Sequence, residues 1–326
     1  MKPAALLLST AMMLASAPMA RAEVPNVVVS VKPIHSLVAF IMQGVGEPRL
    51  IVEGAASPHT YTLKPSNAAA LQEADIVFWV GHGFETILER PLDALGSKAK
   101  IVALEDAPGL QKLKMREGGT FEPHQDDHTT EAGANGADDE HAHNHDGHAH
   151  EEGGFDTHLW LDPANAKAMA AAIEETLSAQ DPANAVTYEA NLAALNANIN
   201  ALDREIRQTI APVKDKPFVV FHDAYQYFEH RYGMRVIGSI TVSPETMPGA
   251  ARISEIRQKV TELGAACVFA EPQFEPKLVN VVLEGTSARA GALDPEGATL
   301  PEGPKLYLDL MRSLATSLRQ CLSSAS

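Results

Sequence analysis

The sequence predicts an α/β protein of two (β/α) lobes, each with a mostly parallel sheet, joined by one long rigid connector helix. Three observations predict it. Apolar residues recur at Tyr188, Leu192, Leu195, Ile199, Leu202, Ile206 and Ile210 in steps of four and three. That is one face of a helix longer than most globular elements. On each side of it, short apolar strands alternate with helical stretches, the pattern of parallel βαβ units. The chain has 326 residues, enough for two developed cores. Asp181 followed by Pro182 sets the expected start of the connector, a capping residue with proline at the first helical position. An ordinary long packing helix is the plainer alternative.

Residues 1–22 read as an export signal. Lys2 gives a positive start, Ala4 to Ala15 an apolar core, and Ala20-Arg21-Ala22 a small-residue cleavage site. The apolar run is short for a bilayer span, and no cysteine stands at the cleavage site to carry a lipid. A soluble exported chain without a direct membrane anchor is therefore expected. The N-terminal lobe is placed at 23–180, the connector at 181–212 and the C-terminal lobe at 213–326. In an oxidising compartment the only two cysteines, Cys267 and Cys321, are a natural disulfide pair, with two buried thiols as the alternative.

In the first lobe, strands are expected at Val27–Val31, Arg49–Glu53, Ile76–Val80 and Ile101–Leu104. Helices are expected at Ile34–Gln43, Ser66–Glu73 and Glu85–Glu89. Loops at the carboxyl ends of such strands form the ligand crevice, and His59 and His82 lie on loops of that kind. Asp162-Pro163 opens a further helix to about Ser178. The second lobe repeats the scheme, with strands at Pro217–Phe221, Val236–Ile240, Cys267–Ala270 and Ala290–Leu293. Its helices are expected at Ala224–Tyr232, Ala251–Leu263, Lys277–Ala288 and Leu306–Leu322.

Residues 115–155 differ in kind. They are poor in apolar residues and carry His124, His128, His141, His143, His145, His148 and His150. Such a segment cannot bury enough apolar surface to offset ordering its backbone, so disorder is expected. Imidazoles interleaved with carboxylates make it a weak, auxiliary metal-binding tract, with a solvated acidic linker as the plain alternative. The formal net charge of −16 argues against nucleic-acid binding, and much of it lies in this tract.

Three further histidines stand in strand-end positions: His59, His158 and His222. Imidazole nitrogen is a good zinc donor, and three such ligands with one carboxylate or water complete a tetrahedron. Their wide spacing is no local motif, and a single histidine is more often a structural hydrogen-bonding group. The wording around them is more telling. Ser57-Pro58-His59 with Leu63-Lys-Pro-Ser66 comes first, followed by His158-Leu-Trp-Leu-Asp-Pro163 and Val220-Phe-His-Asp-Ala-Tyr225. Ala270-Glu-Pro-Gln-Phe274 and Ala292-Leu-Asp-Pro-Glu-Gly297 complete the series. It resembles the zinc-specific branch of the metal-binding solute receptors of ABC transporters, the ZnuA-like periplasmic proteins, over nearly the whole mature chain.

The resemblance implies a metal held in a cleft between the lobes by His59, His158 and His222, with Asp294 as the fourth ligand. A simple Asp-Pro turn is the alternative for Asp294. Some zinc receptors carry a glutamate immediately before the first histidine; here that residue is Pro58. In manganese relatives the position of His222 is typically a carboxylate, which fits the hard-oxygen preference of that ion. His35 and His82 match no ligand position, and Asp223 or Glu271 is expected to orient an imidazole. The implied protein is a monomeric, non-enzymatic periplasmic receptor of Gram-negative bacteria that delivers Zn2+ to the membrane permease of a zinc ABC transporter. A manganese receptor of the same fold and a His-rich zinc buffer remain as alternatives. A zinc hydrolase finds no His-Glu-x-x-His helix in the sequence.

Overall fold

Runs of buried branched and aromatic residues make the strands that position the site. The computed structural model describes residues 24–96, 98–116, 154–244 and 246–323. The export signal and the seven histidines of the acidic tract lie outside these residues. Strand β1 (Val27–Val29) and strand β3 (Ile76–Trp79) are buried along their whole length, the signature of parallel strands covered on both faces. With β2 (Arg49–Leu50) and β4 (Lys100–Ala103) they form a sheet of order β2-β1-β3-β4, parallel throughout. Helices α1 (Lys32–Ile41), α2 (Pro65–Glu73) and α3 (Thr86–Leu95) make the crossovers that parallel pairing demands.

The C-terminal half repeats this order. Strands β5 (Phe218–His222), β6 (Val236–Thr241), β7 (Cys267–Ala270) and β8 (Arg289–Ala292) form the parallel sheet β6-β5-β7-β8. They are linked by α6 (Gln226–Tyr232), α7 (Ala250–Glu262) and α8 (Lys277–Leu283), and α9 (Leu306–Ser323) closes the chain. Between the halves run α4 (Pro163–Gln180) and α5 (Ala185–Ile210). Among the described residues no helix is long and apolar enough to cross a membrane.

The long helix differs from its sequence reading at its start. Asp181 does not open α5; it is the C-cap of α4, and Asn184 is the N-cap of α5. A residue before proline is pushed out of the α basin, so Asp181 ends one helix at φ −132°, ψ 71° before a turn over 182–184. Its carboxylate still serves the second helix, accepting from Asn184 Nδ2 at 2.7 Å and from the Tyr188 hydroxyl at 2.8 Å. The 26 residues of α5 span roughly 39 Å. Tyr188, Leu195, Ile199, Leu202, Ile206 and Ile210 are buried as the spacing predicts, and only Leu192 is half-exposed. The helix packs on α1 and α4 of the first half and on α9 of the second.

Other boundaries move for local reasons. Helix α3 continues through Pro91 to Leu95, because buried Leu88 and Leu92 outweigh the one backbone hydrogen bond that proline forfeits. Helix α8 stops at Leu283 rather than running to Ala288, since Gly285 at φ +74° turns the chain out of the helix. Disorder beginning at 115 and ending at 155 is overturned at both ends. Lys114 pairs antiparallel with Phe155, Met115 N donates to Gly154 O at 2.9 Å, and Asp156 N donates to Leu113 O at 2.9 Å.

Cys267 and Cys321 form a disulfide that ties β7 to α9 and sets aside the two-thiol alternative. Mass spectrometry of the exported protein should find them joined. Replacing both with Ser should cost at most about 4 kcal/mol in the chain-entropy account of so long a loop. Two alkylatable thiols in the non-reduced protein would contradict this. Asp181→Ala should cost about 1–3 kcal/mol, because it strands the fully buried Tyr188 hydroxyl. In denaturant titrations the loss should largely vanish when Tyr188→Phe is added, and equal losses in both backgrounds would refute the pairing.

Candidate metal centre

In a sheet of order 2-1-3-4 the chain leaves the first strand in opposite directions, which opens a crevice beyond the carboxyl ends of strands one and three. His222 is the last residue of β5, and Glu271 immediately follows the neighbouring β7. Residues 49 apart in sequence thus meet: His222 Nδ1 donates to Glu271 at 2.8 Å to each carboxylate oxygen. Tyr225 Oη steadies that carboxylate with a 3.2 Å bond. Of the two carboxylates that the sequence left open, Glu271 orients His222.

From the other half, His59 comes off the loop after β2 and His158 caps the 3-10 turn Leu159–Leu161. His158 Nδ1 donates to Asp156 Oδ1 at 2.8 Å, and the same oxygen accepts from His158 N at 2.9 Å. Sequence reasoning missed Asp156; its one signal is the two-residue spacing in Asp156-Thr157-His158. With both Nδ1 atoms held outward by carboxylates, the two Nε2 atoms turn inward and approach to 3.4 Å. Tetrahedral ligands at a Zn–N distance of about 2.0–2.1 Å lie roughly 3.3–3.4 Å apart, so this pair is spaced for one ion.

His59 completes the group. The three residues offer nitrogen atoms that all lie within 4.8 Å of one another. Phe84 packs edge-on against the His59 ring at 4.8 Å and the His158 ring at 5.4 Å, and Phe274 flanks His222. These walls make the site apolar around its nitrogens. The cluster opens into a pocket of about 200 Å³ whose lining includes Met115 and Arg116.

The protonation states follow from burial and partners. Desolvation, helped by the neighbouring His158 and His222, lowers the His59 pKa to about 2. Burial also holds His158 well below the usual imidazole value. Burial opposes charge on His222 too, but the Glu271 carboxylate outweighs it and raises that pKa. Of the three imidazoles, His222 therefore takes up a proton most readily, and its Nε2 lies 3.4 Å from that of His158.

Asp294 does not join the cluster. Its Oδ1 accepts from Ala298 N at 3.0 Å and Glu296 N at 3.3 Å, and its Oδ2 accepts from Thr299 N at 3.1 Å. The Asp-Pro-Glu-Gly stretch spends its carboxylate on its own turn. That turn is fixed from the first half, where Trp160 Nε1 donates to Pro295 O at 2.8 Å. His35 is buried with Nε2 on the Pro48 carbonyl, and His82 is exposed beside Glu89. Neither reaches the centre. The auxiliary histidines His124 to His150 fall outside the described residues.

Comparison with known proteins agrees with this geometry. The family model for the periplasmic component A of zinc-uptake complexes, ZnuA, matches residues 27–321. The high-affinity zinc uptake system protein ZnuA of Brucella suis biovar 1 is 53% identical over 311 residues, covering 92% of each chain. That of Paracoccus denitrificans is 39% identical over 324 residues, covering 99% of each. A crystal structure of ZnuA superposes with a TM-score of 0.73 at 25% identity, covering 92% of this chain and 100% of its own. A structure described as a 138-173 ZnuA deletion mutant with zinc bound gives 0.72 at 25% identity, covering 92% and 98%. A family match over residues 27–321, with two parallel-sheet lobes and three converging imidazoles, places this chain in the ZnuA family of periplasmic zinc-uptake components.

Proposed function

We propose that this chain is a periplasmic receptor that captures Zn2+ on His59, His158 and His222 and delivers it to the permease of an ABC importer. One observation carries the reading: carboxylates hold two imidazoles so that their Nε2 atoms converge at zinc-ligand spacing. An all-nitrogen set suits zinc better than manganese, which favours oxygen donors and higher coordination. Water takes the fourth position, since Asp294 is committed to its turn. The receptor acts as a monomer and performs no catalysis. Its export rests on the Ala20-Arg21-Ala22 signal.

The acidic tract serves as an auxiliary, weaker site. Its flanking residues Met115 and Arg116 line the mouth of the pocket, so it departs from the chain beside the main centre. A buffer whose main site is the tract is the competing reading, and one titration decides. Removing residues 117–152 leaves Gly153 and Gly154 to close the turn next to Met115. Competitive zinc titration should then find the tight site intact and the weaker ones gone. In the same assay His222→Ala should lose orders of magnitude in affinity, and Asp294→Ala should stay within a few-fold of the unmodified protein. A deletion variant without the tight site, or a His222→Ala variant that keeps it, would sink the receptor reading.

The sign of the pH dependence follows from His222. Zinc must displace its proton, and Glu271 raises its pKa above the ordinary 6.5. Affinity should therefore already decline above pH 6.5 and keep falling, by up to about one decade per pH unit, on further acidification. His59, near 2, adds nothing in that range. Flat affinity from pH 8 to 6 would show that no ligand proton is displaced.

A further inference from the structure

Among the described residues, three carboxylates stand around the imidazole cluster, and each is taken. Asp156 is bound to His158, and Glu271 to His222. The third, Asp223, directly follows a ligand histidine and lines the same pocket, yet it holds no imidazole. Its Oδ1 accepts from Arg116 Nη1 at 3.1 Å. The guanidinium also pairs with Glu229 of α6. Arg116 is itself sunk, with its side chain 11% exposed against 8% for Asp223 and 3% for Glu229.

Arg116 is fixed from several sides. It follows the short antiparallel stem in which Lys114 pairs with Phe155. The stem is bonded to the opposite half: Leu113 N donates to Tyr227 Oη at 3.1 Å, Tyr227 Oη donates to Asp156 O at 2.6 Å, and Gln226 Nε2 donates to Lys114 O at 3.2 Å. A planar, preorganised guanidinium held in this way can claim two carboxylates at fixed positions.

We infer that Arg116 is a specificity-determining residue that keeps Asp223 out of the coordination sphere, so that the pocket offers a metal only nitrogen. The inference rests on the zinc-receptor reading and deepens it. An aspartate beside His222 is the hard oxygen donor that would raise the coordination number and favour manganese over zinc. The guanidinium binds this carboxylate with geometry and charge that a water-filled pocket would not supply. Arg116 acts through Asp223 and does not touch the ion.

The test replaces Arg116 together with its second partner, as Arg116→Gln with Glu229→Gln, so that one buried carboxylate does not lose its counter-charge. Competitive titration should show the zinc-to-manganese preference falling at least tenfold. The Co2+-loaded variant should lose the intense visible absorption of a four-coordinate site in favour of the weaker bands of five- or six-coordination. Adding Asp223→Asn should restore both readouts, which a merely structural role for Arg116 would not produce. An unchanged preference and spectrum in the double variant would overturn the inference, as would a loss that Asp223→Asn does not rescue. Arg116→Lys provides a further variant if the others do not fold. It keeps the charge but gives up the planar fork, so it should show a partial shift, and an unchanged preference there counts against the inference. Failure of the unmodified protein to bind zinc would instead strike the receptor reading itself.

Discussion

Two carboxylate–imidazole hydrogen bonds decide what this protein presents to a metal ion. Asp156 on His158 and Glu271 on His222 fix ring orientation, and each leaves Nε2 pointing at the other ring. Without them two buried imidazoles would have many orientations and no common focus. The fold exists to bring these partners within reach. Parallel pairing sends every strand of a sheet toward the same edge, and placing β5 beside β7 puts His222 next to Glu271. The first half supplies His59 and His158 from loops, so the imidazole cluster is shared between halves that are far apart in sequence.

How much of this could be read from the sequence depended on the range of the interaction. Parallel sheets were legible because strands buried on both faces are short unbroken apolar runs, as in Ile76–Trp79 and Phe218–His222. Boundaries failed where proline or glycine carried two meanings. Asp181-Pro182 ends one helix as readily as it begins the next, and Gly285 stops a helix that the sequence reading carried on to Ala288. The three histidines were visible through the motifs around them. At Asp294 the sequence was ambiguous, because a carboxylate in an Asp-Pro turn serves nearby backbone amides as well as it serves a metal, and here it accepts from those amides. Arg116 was invisible, being 107 residues from Asp223 and 113 from Glu229, with no local pattern announcing either contact.

The same long-range contacts restrict how the centre can open. Helix α5 packs on α1, α4 and α9, and one hydrophobic cluster runs from β1 through α5 to α9 and β5. Lys32, almost fully buried on α1, donates through Nζ to the carbonyls of Ala298 at 3.1 Å and Leu300 at 3.2 Å, with Gly297 at 3.4 Å. Tyr307 N donates to Ser36 Oγ at 2.9 Å, and Tyr307 Oη donates to Trp160 O at 3.0 Å. A hinge motion that parted the halves would strip a buried ammonium of its three acceptors and expose the shared core, a cost of several kcal/mol with no compensating contact. Local rearrangement costs less. His59 sits on the loop between β2 and α2, and the pocket mouth is bordered by Gly83, Met115, Val242 and Ser243, all on loops. Any opening of the imidazole cluster therefore falls to these loops rather than to the sheets, since Glu271 and Asp156 hold their imidazoles in place.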